Sequence, residues 1–266
     1  MNNCVSIAKI GQGLVNEDAV RADGSLIAVS DGAGGGGIYA DLWSAYLVGN
    51  LPQTPITSFA GLDGWMDTIW EPFYNDCEER AKKADGMVLN KFYDEGSFAT
   101  LAAAWLDGGD RCRWMAYGDS VVFHYDMASG RLEHSFTRLS DFNRLPYLLN
   151  CKDVTKEAGF RCGSFLLTED SVVFCATDAL SHYILMMYEL CHRDEFHAEL
   201  DEACSAGTRL ATFVNAASAH KTDFRKDVVL KLKNSAGHRL NFGRHIEALL
   251  KRGLIASDDY SFAIGW

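Results

Sequence analysis

The stretch Leu26-Ile27-Ala28-Val29-Ser30-Asp31-Gly32-Ala33-Gly34-Gly35-Gly36-Gly37 decides how the rest of this chain is read. Its first five residues form a short apolar run that stops at Asp31-Gly32, the pattern of a buried strand ending in a turn. Beyond the glycines, Tyr39, Leu42, Trp43, Tyr46 and Leu47 recur at i, i+3, i+4, i+7 and i+8, which predicts an amphipathic helix. A second unit of the same kind lies further on. Val172-Val173-Phe174-Cys175-Ala176 ends at Thr177-Asp178, and Leu180, Tyr183, Ile184, Met187, Tyr188 and Cys191 then trace one helical stripe. An aspartate where a buried strand gives way to a helix therefore occurs twice.

Working outward, residues Phe59 to Ala84 read as mostly helical, and Phe98 to Leu106 as a buried run. Arg111 to Tyr117 alternates, with Cys112, Trp114 and Ala116 on one face, as a half-buried strand does. Val121 to Tyr125 is its expected neighbour, followed by a turn at Ala128-Ser129-Gly130. Leu139 to Cys162 keeps no sustained period and is expected to be a long irregular excursion. Further helices are expected around Gly207–Ala219 and Phe242–Arg252, and a last strand over Tyr260–Ile264 directly after Asp258-Asp259. Strand runs and helix runs come in blocks without strict alternation and without an internal repeat. That favours an α+β fold of layered sheets over a doubly wound parallel sheet.

Composition bounds the function. The 266 residues are 48% hydrophobic and 23% charged, enough for a sizeable core, and with four prolines and no linker-like stretch a single domain over 1–266 is expected. The net charge of −11 leaves no basic patch to neutralise nucleic-acid phosphates. It does not exclude a phosphorylated substrate, because bound cations reverse the field locally. The eight cysteines are dispersed, with no CxxC pair, and read as reduced, mostly buried thiols. Met1-Asn2-Asn3-Cys4 lacks the regions of a signal peptide, and no apolar run would span a bilayer. A cytoplasmic monomer without membrane or nucleic-acid partners is expected.

The chemistry lies in carboxylates. Asp31 and Asp178 each end a buried strand, Asp119 follows the strand ending at Tyr117, and Asp258 precedes the last one. Glu17-Asp18 lies ahead of the strand that leads to Asp31. Strand ends in a packed sheet bring distant residues to one edge, and carboxylates gathered there repel one another unless cations occupy the site. Such hard oxygen donors suit Mg²⁺ or Mn²⁺. Each position also has an ordinary reading. Asp31-Gly32, Gly118-Asp119-Ser120 and Asp258-Asp259 could be turns, and Asp178 could be the N-cap of a helix starting at Leu180. The glycine run lacks the lysine of GxxxxGK[ST]. Cys191, His192, His197 and Cys204 fit no common zinc spacing, no GxSxG occurs, and Met186-Met187-Tyr188 reads as core.

The order of these motifs resembles the type-2C (PPM) family of metal-dependent Ser/Thr protein phosphatases, in a divergent, bacterial-type form, over nearly the whole chain. The resemblance runs through Asn16-Glu17-Asp18, Val29-Ser30-Asp31-Gly32-Ala33-Gly34-Gly35 and Gly96-Ser97-Phe98-Ala99-Thr100. It continues with Gly118-Asp119-Ser120, Ala176-Thr177-Asp178-Ala179-Leu180 and Asp258-Asp259-Tyr260-Ser261. It implies a four-layer αββα sandwich with two mainly antiparallel sheets and a centre of two Mn²⁺ or Mg²⁺ ions. It also implies hydrolysis of phosphoserine and phosphothreonine in proteins by a metal-activated water. By resemblance, Asp31 would bridge both metals, the Gly32 carbonyl would touch one, and Asp178 and Asp258 would complete the second. Glu17 and Asp18 would hold metal-bound waters or help ligate, and Asp119 matches a position that helps hold a third metal in many bacterial relatives.

Three positions depart from that pattern. Many relatives carry a phosphate-gripping arginine a few residues before the Glu-Asp pair, where this chain has Gly11-Gln12-Gly13-Leu14-Val15; the nearest cations, Lys9 and Arg21, do not match it. Ala33 stands where some members have a histidine, and Ala179 replaces a usual glycine. The runner-up reading is therefore a pseudophosphatase, a metal-binding interaction module with little phosphate affinity. A small-molecule phosphatase is the third.

Overall fold

Burial on both faces explains the apolar runs. In the computed structural model, which describes residues 2–35, 37–205 and 209–265, strands lie sandwiched between helices on one side and a second sheet on the other. In chain order the elements begin with β1 (Asn3–Ile7), β2 (Ala19–Asp23), β3 (Leu26–Ser30), α1 (Ala40–Asn50), α2 (Phe59–Ala84) and α3 (Gly86–Glu95). Next come β4 (Phe98–Ala99), β5 (Leu101–Leu106), β6 (Arg111–Tyr117), β7 (Val121–Asp126), β8 (Leu132–His134), β9 (Leu149–Asn150), β10 (Phe160–Leu166) and β11 (Ser171–Ala176). The remainder is α4 (Asp178–Cys191), α5 (His197–Ser205), α6 (Arg209–Ser218), a π-helical turn (Phe224–Val229), α7 (Leu230–Ser235), α8 (Arg239–Lys251) and β12 (Tyr260–Gly265).

One sheet has the order β1-β12-β11-β7-β8 and the other β10-β6-β5-β3-β2, with every neighbouring pair antiparallel; β4 and β9 form a short ladder of their own. Between the sheets, Ile27, Val29, Ala102, Ala104 and Ala116 meet Val122, Val173, Cys175 and Ala263. The opposite face of β3 and β5, with Leu26, Ala28, Leu101 and Ala103, packs on Trp43, Leu47, Leu62 and Phe73 of α1 and α2. On the far side, Phe123, Phe174 and Phe262 pack with Leu180 and Ile184 of α4 and Phe242 of α8. The layers run helix, sheet, sheet, helix: the α+β sandwich that the motif order implies. Because β3 and β5 are covered on both faces, they read as continuous apolar runs.

Two stretches differ from the sequence reading. The Leu139–Cys162 excursion is irregular, with 3₁₀ turns at Leu139–Asn143 and Glu157–Gly159, but its last residues open β10, an edge strand paired with β6 from Phe160↔Tyr117 to Leu166↔Arg111. The strand carries no apolar alternation because Cys162, Gly163 and Ser164 in its middle are exposed. Gly163 also leaves room for Trp114, whose ring would lie 2.6 Å from a Cβ there. The helical region between α4 and α8 contains α5, the π-helical turn and α7 as well as α6; residues 207 and 208 of the expected Gly207–Ala219 helix lie outside the described residues. All eight thiols are free, and Cys77, Cys112, Cys151 and Cys175 are the buried ones. Among the described residues, no helix is long and apolar enough to cross a membrane.

Glu189 on α4 is 3% exposed, and its Oε2 has no hydrogen-bond partner. Burial, and secondarily the charge of Glu199, push its carboxyl from 4.5 up to about 8. The native state therefore holds a proton that the unfolded chain releases, so this group's contribution to stability falls as pH rises across that window. Glu189→Gln is expected to raise urea-unfolding stability by about 1–3 kcal/mol at pH 8 and to change it little below pH 4.5, where both side chains are neutral.

Candidate active site

Asp31 leaves the end of β3 with its backbone fixed from both sides. Its carbonyl accepts from the Thr100 amide at 2.8 Å, and its own amide donates to Thr100 Oγ1 at 3.3 Å. That hydroxyl also meets Ser120 Oγ at 2.6 Å, and Ser30 Oγ donates to the Thr100 carbonyl at 2.6 Å. The motifs Ser30-Asp31, Ala99-Thr100 and Asp119-Ser120 are thus tied together where β3 ends, β5 begins and β6 turns into β7. Gly32 bridges Ala99 immediately beyond.

Asp178 is the first residue of α4, with Thr177 as the cap residue, so the helix begins two positions earlier than Leu180. A carboxylate there is favoured by the helix dipole, and Asp178 Oδ1 accepts from the Ala179 amide. Thr177 has a further duty. Its hydroxyl donates to Asp18 Oδ2 at 2.9 Å while accepting from the Ser261 amide at 3.1 Å, so α4, β12 and the segment before β2 meet at one atom. Asp258 lies ahead of β12, and its Oδ1 pairs with Lys9 Nζ at 2.9 Å.

These carboxylates share one electrostatic field. Asp31 is pushed well above the usual carboxylate range by loss of water and then by the charges of Asp18, Asp178, Asp119 and Asp258. Asp178 is raised in the same way, by burial and then by Asp119, Asp258 and Asp18. Asp18 reaches about 7 chiefly through burial, against the lowering effect of its Thr177 and Ser261 hydrogen bonds. Asp119 reaches about 6 through burial, with Arg161 opposing the rise, and its Oδ1 is buried without a partner. Glu17 is raised by burial and lowered by the Gly34 amide, which donates to it. The structure therefore brings Asp18, Asp31, Asp119, Asp178 and Asp258 to one end of the sandwich, with Glu17 at its side.

Against a divalent metal, the donor set fits in chemistry: oxygen atoms only, withdrawn from water, mutually repelling, one of them orphaned. Among the described residues no three His, Cys, Asp or Glu side chains close into a ready-made cage, so the fit rests on donor type and shared charge. Cys191 and His192 serve the backbone instead, bonding the Thr222 and Tyr188 carbonyls.

No protein-family model matches the chain, and neither does any curated protein. Solved structures do. The Mycobacterium tuberculosis serine/threonine phosphatase PstP/Ppp superposes with a TM-score of 0.56 at 16% identity, over 99% of this chain and 97% of that one. This chain has the fold of bacterial serine/threonine phosphatases. The catalytic domain of PstP in complex with two manganese ions matches with a TM-score of 0.53 at 18% identity, covering 99% and 96%. The S. agalactiae serine/threonine phosphatase matches with a TM-score of 0.52 at 16% identity, covering 99% and 98%.

Within that phosphatase-like fold, several groups at the site escaped the sequence reading. Asp259 is 7% exposed and no solvated turn: its two oxygens accept from the Lys9 amide at 2.8 Å and the Glu17 amide at 2.7 Å. Thr177, Thr100 and Ser120 lay inside the quoted motifs, yet nothing in their spacing marks them as anchors. Arg161 on β10 donates to the Gly118 carbonyl and lies 5.1 Å over the Phe136 ring. The glycines of the opening stretch also have specific duties. A Cβ on Gly32 would lie 2.5 Å from the Glu17 carbonyl oxygen and 2.7 Å from that of Ala40, and one on Gly34 would overlap the Glu17 carboxylate. Gly32→Ala is expected to lower stability by about 1–3 kcal/mol, because backbone on both sides must move. Asp31→Asn and Asp178→Asn should leave the metal-free melting temperature unchanged or higher, since each removes one repelling charge; thermal unfolding in EDTA checks both.

Proposed function

We propose that this chain is a divergent type-2C phosphatase: a single catalytic domain that hydrolyses phosphoserine and phosphothreonine in proteins with the help of Mn²⁺ or Mg²⁺. The observation that carries the reading is the mutually repelling set Asp18, Asp31, Asp119, Asp178 and Asp258, delivered to one end of an αββα sandwich by separate motifs. The fold likeness to bacterial serine/threonine phosphatases supports it. Asp31 would lie at the centre of the metal set with the Gly32 carbonyl. Asp178, Asp258 and Asp18 would complete two sites, and Asp119 would hold a third. When bound, divalent cations lower the pKa of water and offset charge on the attacking and leaving oxygens.

The protein's own residues do the rest. Thr100, itself held by Ser120, fixes the backbone that carries Asp31, and Thr177 and Ser261 bond the Asp18 carboxylate, as outer hydrogen bonds do for metal-binding carboxylates. Asp259 holds the Lys9–Glu17 loop against the base of β12, which keeps Glu17 at the site. Rigid positioning of charge before the reaction is what slow phosphate-ester chemistry requires.

The pseudophosphatase reading also has its observation. Gly13, four residues before Glu17, has φ +64, a conformation that disfavours arginine there even though the space is open. Lys9 is already engaged on Asp258. Turnover of an aryl phosphate with Mn²⁺, abolished by excess EDTA, and dephosphorylation of a phosphothreonine peptide are the expected results. Metal-dependent folding stability without turnover would favour the interaction module. Full activity in EDTA would end the metal-dependent reading. Asp31→Asn and Asp178→Asn should each remove most turnover. Loss of a charge-assisted phosphate contact of about 1.5–3 kcal/mol predicts phosphate or vanadate binding roughly ten- to a hundredfold weaker than in a relative that keeps the arginine. Equal affinity would mean that another cation grips phosphate.

A further inference from the structure

Lys9 is the cation that the structure sets directly on a carboxylate of the cluster. Its ammonium lies 2.9 Å from Asp258 Oδ1, an atom that also accepts the Asp259 amide at 3.0 Å. The attachment is not a loose surface contact. The Lys9 backbone amide is itself bound to Asp259 Oδ1 at 2.8 Å, so main chain and side chain both grip the Asp258-Asp259 pair. Both side chains are about one-third exposed, at 30% and 35%. The charged groups around the ammonium are Asp258, Asp259 and Glu17, all negative, and all of them favour its protonated form.

We propose that Lys9 is a built-in counter-ion of Asp258 that competes with divalent cations for this carboxylate and so weakens metal binding at that side of the centre. The inference rests on the phosphatase reading above. The physical argument is short. Asp258 Oδ1 already has two donors, and a divalent ion using Asp258 must displace the ammonium or bind beside its positive charge. Either course reduces affinity relative to a free carboxylate. The same ammonium offsets part of the repulsion that the cluster would otherwise carry without metal. Lys9 therefore stabilises the metal-free protein and penalises the loaded one.

The test is Mn²⁺ binding to the full chain by isothermal titration calorimetry, comparing wild type with Lys9→Met, Lys9→Gln and Lys9→Arg. Lys9→Met and Lys9→Gln, which remove the charge without and with a remaining hydrogen-bond donor respectively, should each bind the weaker Mn²⁺ about tenfold more tightly. Lys9→Arg, which keeps the charge, should stay near wild type. Thermal unfolding supplies a second readout: the uncharged variants should melt lower than wild type in EDTA and gain more from added Mn²⁺. Equal or weaker Mn²⁺ binding by the uncharged variants would overturn the counter-ion role and leave the metal-centre reading standing. No Mn²⁺ binding by any of the proteins would overturn both.

Discussion

Repulsion among carboxylates withdrawn from water is the constraint around which this end of the molecule is built. Asp31 alone feels Asp18, Asp178, Asp119 and Asp258. Charges of one sign held in a poorly solvated place separate unless the backbone bearing them cannot move. Here the backbone is held because β3 and β5 lie in one sheet and β11 and β12 in the other, with a dry layer between them. The small residues of that layer, Ala102, Ala104, Ala116 and Ala263, leave little slack for one sheet to slide over its partner. Packing energy spent in the middle of the sandwich thus fixes the positions of charges at its edge.

Short polar links carry that fixation the last few ångströms. Thr100 binds both Asp31 and Ser120, joining a strand of one sheet to the turn that leads towards the other. Thr177 ties Asp18 to the first residues of β12. Asp259 uses both oxygens on backbone amides, closing the ends of the segment between Lys9 and Glu17. A buried carboxylate that accepts a backbone N–H on each oxygen recovers part of the solvation it loses. Its neighbour Asp258 is offset by an ammonium instead. Adjacent aspartates therefore have unlike duties, one structural and one facing the cluster.

This division shows which parts were legible in the sequence. Strands covered on both faces, such as Leu26–Ser30 and Ser171–Ala176, announce themselves as unbroken apolar runs, and the aspartates at their ends stand out against them. The long helix Phe59–Ala84 was legible for a different reason, its buried positions Leu62, Trp65, Met66, Ile69 and Phe73 keeping helical spacing. β10 was not, because an edge strand with an exposed middle needs no apolar alternation. Contacts between residues far apart in the chain leave no local mark at all. Asp259 binds Lys9 and Glu17 across more than two hundred residues, and Arg161 reaches back to Gly118; neither pairing has a spacing to read. A glycine signals only that space or conformation is special, and Gly13, Gly32 and Gly34 turn out special for different reasons: a left-handed turn, a crowded backbone, and an approaching carboxylate.

A phosphate group carries negative charge towards a cluster that is itself negative, on a chain of net charge −11. Attraction at that place must come from cations. The protein's own are Lys9, held against Asp258, and Arg161, held beside Asp119 with its guanidinium depressed by burial. Lys9 is ion-paired with Asp258 and Arg161 is opposed by the nearby charge of Asp119, so neither contributes an unopposed positive field. Many members of the family that the motifs resemble carry a phosphate-gripping arginine before the Glu-Asp pair; this chain sets Lys9 and Arg161 beside carboxylates of the cluster. If the site takes phosphate as proposed, its affinity would depend on how many divalent ions it holds more steeply than it would with an independent arginine. On the phosphatase reading, loading with metal would change the sign of the field there, and the unloaded site would repel phosphate.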